Sequence, residues 1–133
     1  MALWTPDITT EAAMAADQRV VFHALWAAHI GRAQAISQGA LAEATGIAER
    51  ELRDILASII IAHRVPIGSA TSPPPGYYVI ATTDEAAETY RMLRGYGISI
   101  LTRAAVIRRV VSAIDLRRIQ TEIPFPYDTV RGL

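Results

Sequence analysis

Apolar and polar positions along this chain follow two periods, and together they divide it into helices and one hairpin. Val21, Leu25 and Ala28 recur at helical spacing, and Phe22, Trp26 and Ile30 recur at i, i+4, i+8 on a second face. They predict a first helix from a cap at Thr9 or Thr10 to about Ile30, after an irregular start marked by Pro6-Asp7. A helix that is apolar on two sides is buried on two sides, so this one meets more than one neighbour or another subunit. Gly31 to Ile36 reads as a link. A short helix, Gln38 to Thr45, opens at Ser37, whose hydroxyl suits a cap, and closes at Gly46. A longer helix, Glu49 to about His63, carries Leu52, Ile55, Leu56, Ile59 and Ile60 on one side and stops before Pro66.

The next stretch changes period. Val65-Pro66-Ile67-Gly68 and Tyr77-Tyr78-Val79-Ile80-Ala81-Thr82 are β-like runs around an eight-residue Pro/Gly/Ser loop, Ser69 to Gly76, and read as a hairpin with a protruding tip. Strand alternation puts one of Tyr77 and Tyr78 in the core. Thr82-x-x-Glu85 has the form of a capping box and opens a helix over about Asp84 to Arg94. Gly95-Tyr96-Gly97 reads as a break, Ile98 to Ile119 as a last helix, and the tail from Glu122 as irregular. The predicted organisation is residues 1–97 as one domain with its N-terminal helix, 98–121 as a C-terminal amphipathic helix, and 122–133 as a tail.

The order of helix, short helix, tight turn, longer helix, hairpin and helix is that of a winged helix-turn-helix, so the expected fold class is mainly α with one hairpin wing and extra terminal helices. With Gln38 as position one of a twenty-residue motif, Leu41, Ala42, Gly46, Ile47, Leu52 and Ile55 fall at positions 4, 5, 9, 10, 15 and 18. Each residue suits its slot. Ala42 is small where the second helix crosses, and Gly46 tolerates the positive φ of the turn. Leu41, Ile47, Leu52 and Ile55 point inward and fix the crossing.

Composition narrows the functional classes. The chain has 133 residues, 51% hydrophobic and 20% charged, which is one domain's worth of material and excludes a disordered chain. Without an 18-residue uncharged run, a membrane span is not expected. Without cysteine, disulfides, thiol catalysis and thiolate metal sites are excluded. The start has no basic and apolar secretory pattern, so the cytoplasm is the expected compartment. His23, His29 and His63 share no ligand spacing, and no phosphate loop, nucleophile elbow or paired-carboxylate pattern appears, so neither an enzyme nor a cofactor is expected.

Net charge is zero, yet all 13 cations are arginine. Arginine suits bidentate phosphate contacts, although a GC-rich coding sequence gives the same arginine and alanine excess. Residues 1–100 hold seven Arg against ten Asp/Glu, or −3, and residues 101–133 hold six against three, or +3. Near that basic end, Leu93, Gly97, Ile100, Ala104, Ile107, Val111 and Ile114 form a heptad seam of about three repeats. Two covers fit this seam, the N-terminal helix with its Phe22/Trp26 face and a partner chain. The expected dimer surface therefore comprises Phe22, Trp26, Ile30, Ile100, Ala104, Ile107, Val111 and Ile114. Arg103, Arg108 and Arg109 beside the seam are candidate phosphate contacts.

The run from Gly39 to Arg53 resembles the helix-turn-helix of many bacterial regulators. His63 to Ser69, Pro75 to Tyr78, Thr82 to Glu85, Tyr90 to Arg94, Ser99 to Leu101 and Arg103 resemble small winged-helix proteins of bacteriophages and prophages, of the replisome-organiser-like kind. The resemblance covers roughly residues 35–108. It implies binding of double-stranded DNA, commonly as a dimer, through the second motif helix and the wing, without a cofactor, in transcription regulation or as a phage-type replication accessory. Carried over by position, it implies that Ala48, Glu49, Arg50, Arg53, Asp54 and Ala57 face the groove. It also implies that Ser37 and Gln38 lie near phosphate and that Ser69, Thr71 and Ser72 contact the backbone from the wing. The chain departs from the pattern in three ways: alanine stands at position 48 where a capping serine is frequent, Glu49, Glu51 and Asp54 outnumber Arg50 and Arg53, and the wing has no Arg or Lys. The alternative reading is a winged helix used for protein contact, and an enzyme with an unrecognised site is a distant third.

Overall fold

The computed structural model describes residues 3–111. It is mainly helical, with four α-helices and one two-stranded antiparallel hairpin among the described residues, in an order compatible with a winged-helix layout. The elements are α1 (Ala16–Ala28), α2 (Gln38–Thr45), α3 (Glu49–His63), β1 (Ile67–Ala70), β2 (Gly76–Val79) and α4 (Thr83–Val110), with a single 3₁₀ turn at Arg32–Gln34. The chain divides into two compact units, Met1–Met92 and Leu93–Leu133.

In the first unit one core joins Val21, Phe22 and Leu25 of α1, Leu41 of α2 and Leu52, Leu56 and Ile59 of α3 to Val65, Ile67 and Val79 at the hairpin. Leu41 and Leu52 are fully buried, and Ala42, Ile47 and Ile55 pack partly buried against them. Gly46 takes the left-handed conformation, φ 74° and ψ 14°, and its N–H donates to the Ala42 carbonyl at 2.8 Å, which closes α2 and turns the chain into α3. The Ser37 hydroxyl accepts the Ala40 N–H at 3.2 Å and caps α2, as its type predicts.

Four features differ from the sequence expectation. The first helix starts at Ala16 rather than near Thr10. The Asp7 carboxylate gathers the N–H groups of Thr9 and Thr10 into a turn, and the helix begins where Gln18 Oε1 accepts the Ala15 N–H at 2.8 Å. At its other end α1 stops at Ala28, because the following backbone pairs with β2: Val79 N–H donates to His29 O, and Gly31 N–H to Val79 O, both at 2.8 Å. Further on, Ile36 and Tyr77 exchange both backbone hydrogen bonds, at 2.9 and 2.8 Å. The segment read as a plain link thus borders the hairpin.

The hairpin strands, Ile67–Ala70 and Gly76–Val79, lie nearer the tip than the predicted runs, which began at Val65 and ran on to Thr82. Ser69 pairs with Tyr77 and Ala70 with Gly76, so only residues 71–75 form the tip. Tyr78 is the tyrosine that goes inward. It is fully buried over Gly68, and its hydroxyl lies 3.5 Å from Thr89 Oγ1. Last, α4 runs through Gly95-Tyr96-Gly97 without interruption. Each glycine costs about 1 kcal/mol of helix propensity, a penalty that the flanking residues outweigh. The Thr82–Glu85 cap forms, with Glu85 N–H donating to Thr82 Oγ1 at 3.2 Å, but the carboxylate reaches elsewhere: Oε1 accepts Ala81 N–H and Oε2 accepts Arg32 N–H.

Of the α1 residues expected at a dimer surface, Phe22 is corrected. Phe22 is fully buried, and Trp26 stacks on it at 6.1 Å between ring centroids. Trp4 stands edge-on to both rings, while Ile30 bridges Val79. The chain's own N-terminal segment thus covers Phe22 and Trp26, with Phe22 fully buried and Trp26 and Ile30 half-buried. On α4, Ile100, Ala104 and Ile107 are exposed, and Val111, just past its end, is partly so. Ile114, and the end of the predicted last helix near Ile119, lie outside the described residues.

Candidate nucleic-acid interface

The outer side of α3 follows from its own sequence. Leu52, Leu56 and Ile59 are spaced to bury one stripe, so Glu49, Arg50, Arg53, Asp54 and Ala57 must emerge on the other, and all five are exposed. Among the described residues, neither Arg50 nor Arg53 lies within 4 Å of a carboxylate; the ion pair found there is His23–Glu11, at 2.9 Å. Both guanidiniums are therefore exposed without an ion-pair partner among the described residues. Glu49, Glu51 and Asp54 set a net negative count beside them and lower the attraction for phosphate.

Ala48 precedes α3 with extended backbone and no side-chain oxygen to cap the helix. The first-turn amides of α3 keep an electropositive end, which Glu49 and Glu51 partly offset from within the helix. At the other end Arg64 closes α3 in the left-handed region, φ 55°, with its N–H donating to Ile60 O at 3.0 Å.

The polar residues expected around α3 divide into free and occupied. Ser37 uses its hydroxyl oxygen as the α2 cap. Gln38 is committed inside the protein: Nε2 donates to Glu49 O at 3.1 Å, and Oε1 accepts from the Tyr77 hydroxyl at 3.4 Å. This one amide ties α2, the start of α3 and the hairpin together, so Gln38 positions α3 with its polar atoms engaged within the subunit. Ser69 sits in β1, partly buried, whereas Thr71 and Ser72 are exposed at the tip.

Arg32 joins this surface without any mark in the sequence. Its Nη1 donates to Pro74 O at 2.7 Å, and its Nη2 donates to Ser72 O at 2.7 Å and Ser72 Oγ at 3.0 Å. A guanidinium 40 residues upstream thus holds the tip of a hairpin that has no charge of its own. No local pattern marks it, because the contact exists only once the 29–36 segment lies along β2. Arg103, Arg108 and Arg109 are exposed on the part of α4 that belongs to the second unit.

Among the described residues no helix is long and apolar enough to cross a membrane, and no three His, Asp or Glu side chains converge as a metal site needs. In comparisons with known proteins, no family, no curated protein and no solved structure matches this chain.

Proposed function

We propose that this protein is a winged helix-turn-helix that binds double-stranded DNA in the cytoplasm, as a transcriptional regulator or a phage-type replication accessory. In this reading α3 enters the major groove, with Arg50 and Arg53 on guanine edges or phosphates, and the β1–β2 hairpin is the wing that follows the backbone. The observation that carries it is the exposed α3 stripe, Glu49 to Ala57, with two unpaired arginines on a helix propped by α2 through a left-handed Gly46.

The protein acts as a homodimer in this proposal. From Leu93 to Val110, α4 exposes Leu93, Ile98, Ile100, Leu101, Val106, Ile107 and Val110, each at 47% or more. A helix apolar on so many sides is stable when it is covered, and a second copy supplies an equal surface. Dimerisation also doubles the cation count, which a subunit with three competing acids beside its arginine pair needs. Arg103, Arg108 and Arg109 then add phosphate contacts.

The test is a fluorescence-anisotropy titration of a labelled duplex at several salt concentrations, on protein of measured solution mass. Binding should weaken as salt rises, and Arg50→Ala/Arg53→Ala should flatten the log–log salt slope by about two contacts' worth per bound subunit, roughly 0.9 each. A folded dimer without duplex binding at low salt favours the second reading, a winged helix for protein contact, to which the acids on α3 point.

A further inference from the structure

We infer that Arg32 is the phosphate-binding residue of the wing, supplied in space by a segment outside the hairpin. The inference rests on the duplex-binding reading above and adds a contact that the sequence does not place. From residue 65 to residue 80 the chain has no Arg, Lys, Asp or Glu, so the hairpin offers phosphate only hydroxyls and amides. Phosphate neutralisation needs cations. Arg32 brings one to the tip. Three of its N–H groups bond to Ser72 and Pro74 in solvent-exposed contacts, and these fix the guanidinium plane against the loop.

The fork retains donors after that clamp. Nη2 spends both hydrogens on Ser72 and Nη1 spends one on Pro74; Nε–H and the second Nη1 hydrogen have no partner among the described residues. No carboxylate among the described residues lies within 4 Å of the guanidinium. The Glu85 carboxylate binds the backbone N–H of Arg32 at 2.9 Å instead, and so anchors the residue without quenching its side-chain charge. The Ser72 and Pro74 carbonyls hold the cation in place but carry no net charge. A held cation with a free donor on each of two edges is pre-organised to meet phosphate through one of them, because its rotamer entropy is already spent in the free protein. Thr71, exposed beside Ser72, supplies a neutral hydroxyl to the same phosphate.

The experiment uses the full chain and a labelled 30-base-pair duplex, with binding measured across salt concentrations for wild type, Arg32→Gln, Arg32→Lys and Arg50→Ala/Arg53→Ala. Thermal melting establishes that each variant is folded. Arg32→Gln should flatten the salt slope by about 0.9 per subunit in contact, which near 0.1 M salt is about an eightfold weaker Kd. Arg32→Lys keeps the charge and loses the fork, so its slope should stay near wild type while Kd rises by a smaller factor. Failure of wild type to bind at low salt overturns the duplex reading and this inference together. Wild-type binding that Arg50→Ala/Arg53→Ala weakens, with an unchanged slope in Arg32→Gln, overturns this inference alone. Equal flattening in Arg32→Lys and Arg32→Gln also overturns it, since the loss then tracks the clamp rather than the charge.

Discussion

Trp4 stands edge-on to Trp26, with ring centroids 5.8 Å apart and planes at 90°, and it meets Phe22 in the same way at 6.1 Å and 88°. The neighbouring Leu3 N–H donates to Ala81 O at 3.0 Å, which fixes the N-terminal segment across the first unit. A perpendicular aromatic pair sets the positive edge of one ring on the negative face of the other. The arrangement closes the second apolar face of α1 from within the chain.

Trp4→Ala should therefore destabilise the fold by about 2–4 kcal/mol, toward the low end for a large aromatic because Trp4 is only partly buried. The midpoint of urea unfolding measures it. The same variant should shift Trp26 fluorescence to the red as that ring meets water. A loss under 0.5 kcal/mol refutes a structural role for the strap.

Glycine positions should separate by environment. At Gly76 the backbone has φ 124°, and a Cβ would fall 1.9 Å from the Ile36 carbonyl oxygen, on the backbone pairing that borders the hairpin. Gly76→Ala should cost about 2–4 kcal/mol through strain at positive φ and displacement of that backbone. Gly95, inside α4 with open space around it, should behave in the opposite way. Gly95→Ala should stabilise the helix by about 0.5–1 kcal/mol. Thermal melts of the two variants check the pair.

Exposed apolar residues on α4 give a prediction about assembly. Ile100→Glu/Ile107→Glu places two charges on the seam and should convert the dimer to a species of the chain's own 14.5 kDa. Light scattering behind a sizing column reads the mass. A wild-type mass that already equals one chain removes the dimer from the proposal.

The Asp7 carboxyl should titrate below its usual range. The Thr9 hydroxyl, at 2.7 Å, is the main cause, followed by the Thr9 N–H at 2.9 Å and the Thr10 hydroxyl at 3.1 Å, all of which favour the ionised form. A folded-state pKa below the unfolded value means that this turn adds stability above the ordinary carboxylate range and loses it as pH falls through the folded value. In Thr9→Ala the midpoint should move back up, as followed by NMR of the side-chain carboxyl carbon. An unchanged midpoint overturns the assigned cause.

What was legible beforehand was local. Ser37, Gly46 and the spacing from Leu41 to Ile55 specify a capped short helix, a left-handed turn and a second helix within twenty residues, and α3 spans Glu49–His63 as its apolar stripe requires. Thr82 and Glu85 mark the start of α4 in the same way. The break expected at Gly95-Tyr96-Gly97 is absent because helix continuity depends on the sum over many residues, and two glycines do not reverse it.

The sequence by itself determined the capped short helix, the left-handed turn, α3 and the start of α4, because caps, positive-φ glycines and apolar periods act over four or fewer residues. Only the tertiary structure decided what lies against what. It put Trp4 over Phe22, committed Gln38 to Glu49 and the hairpin, ended α1 by pairing with β2, and brought Arg32 to an uncharged tip. These contacts join residues 11 to 50 positions apart, and chain closure over such distances follows from the packed core rather than from any local pattern of residue types.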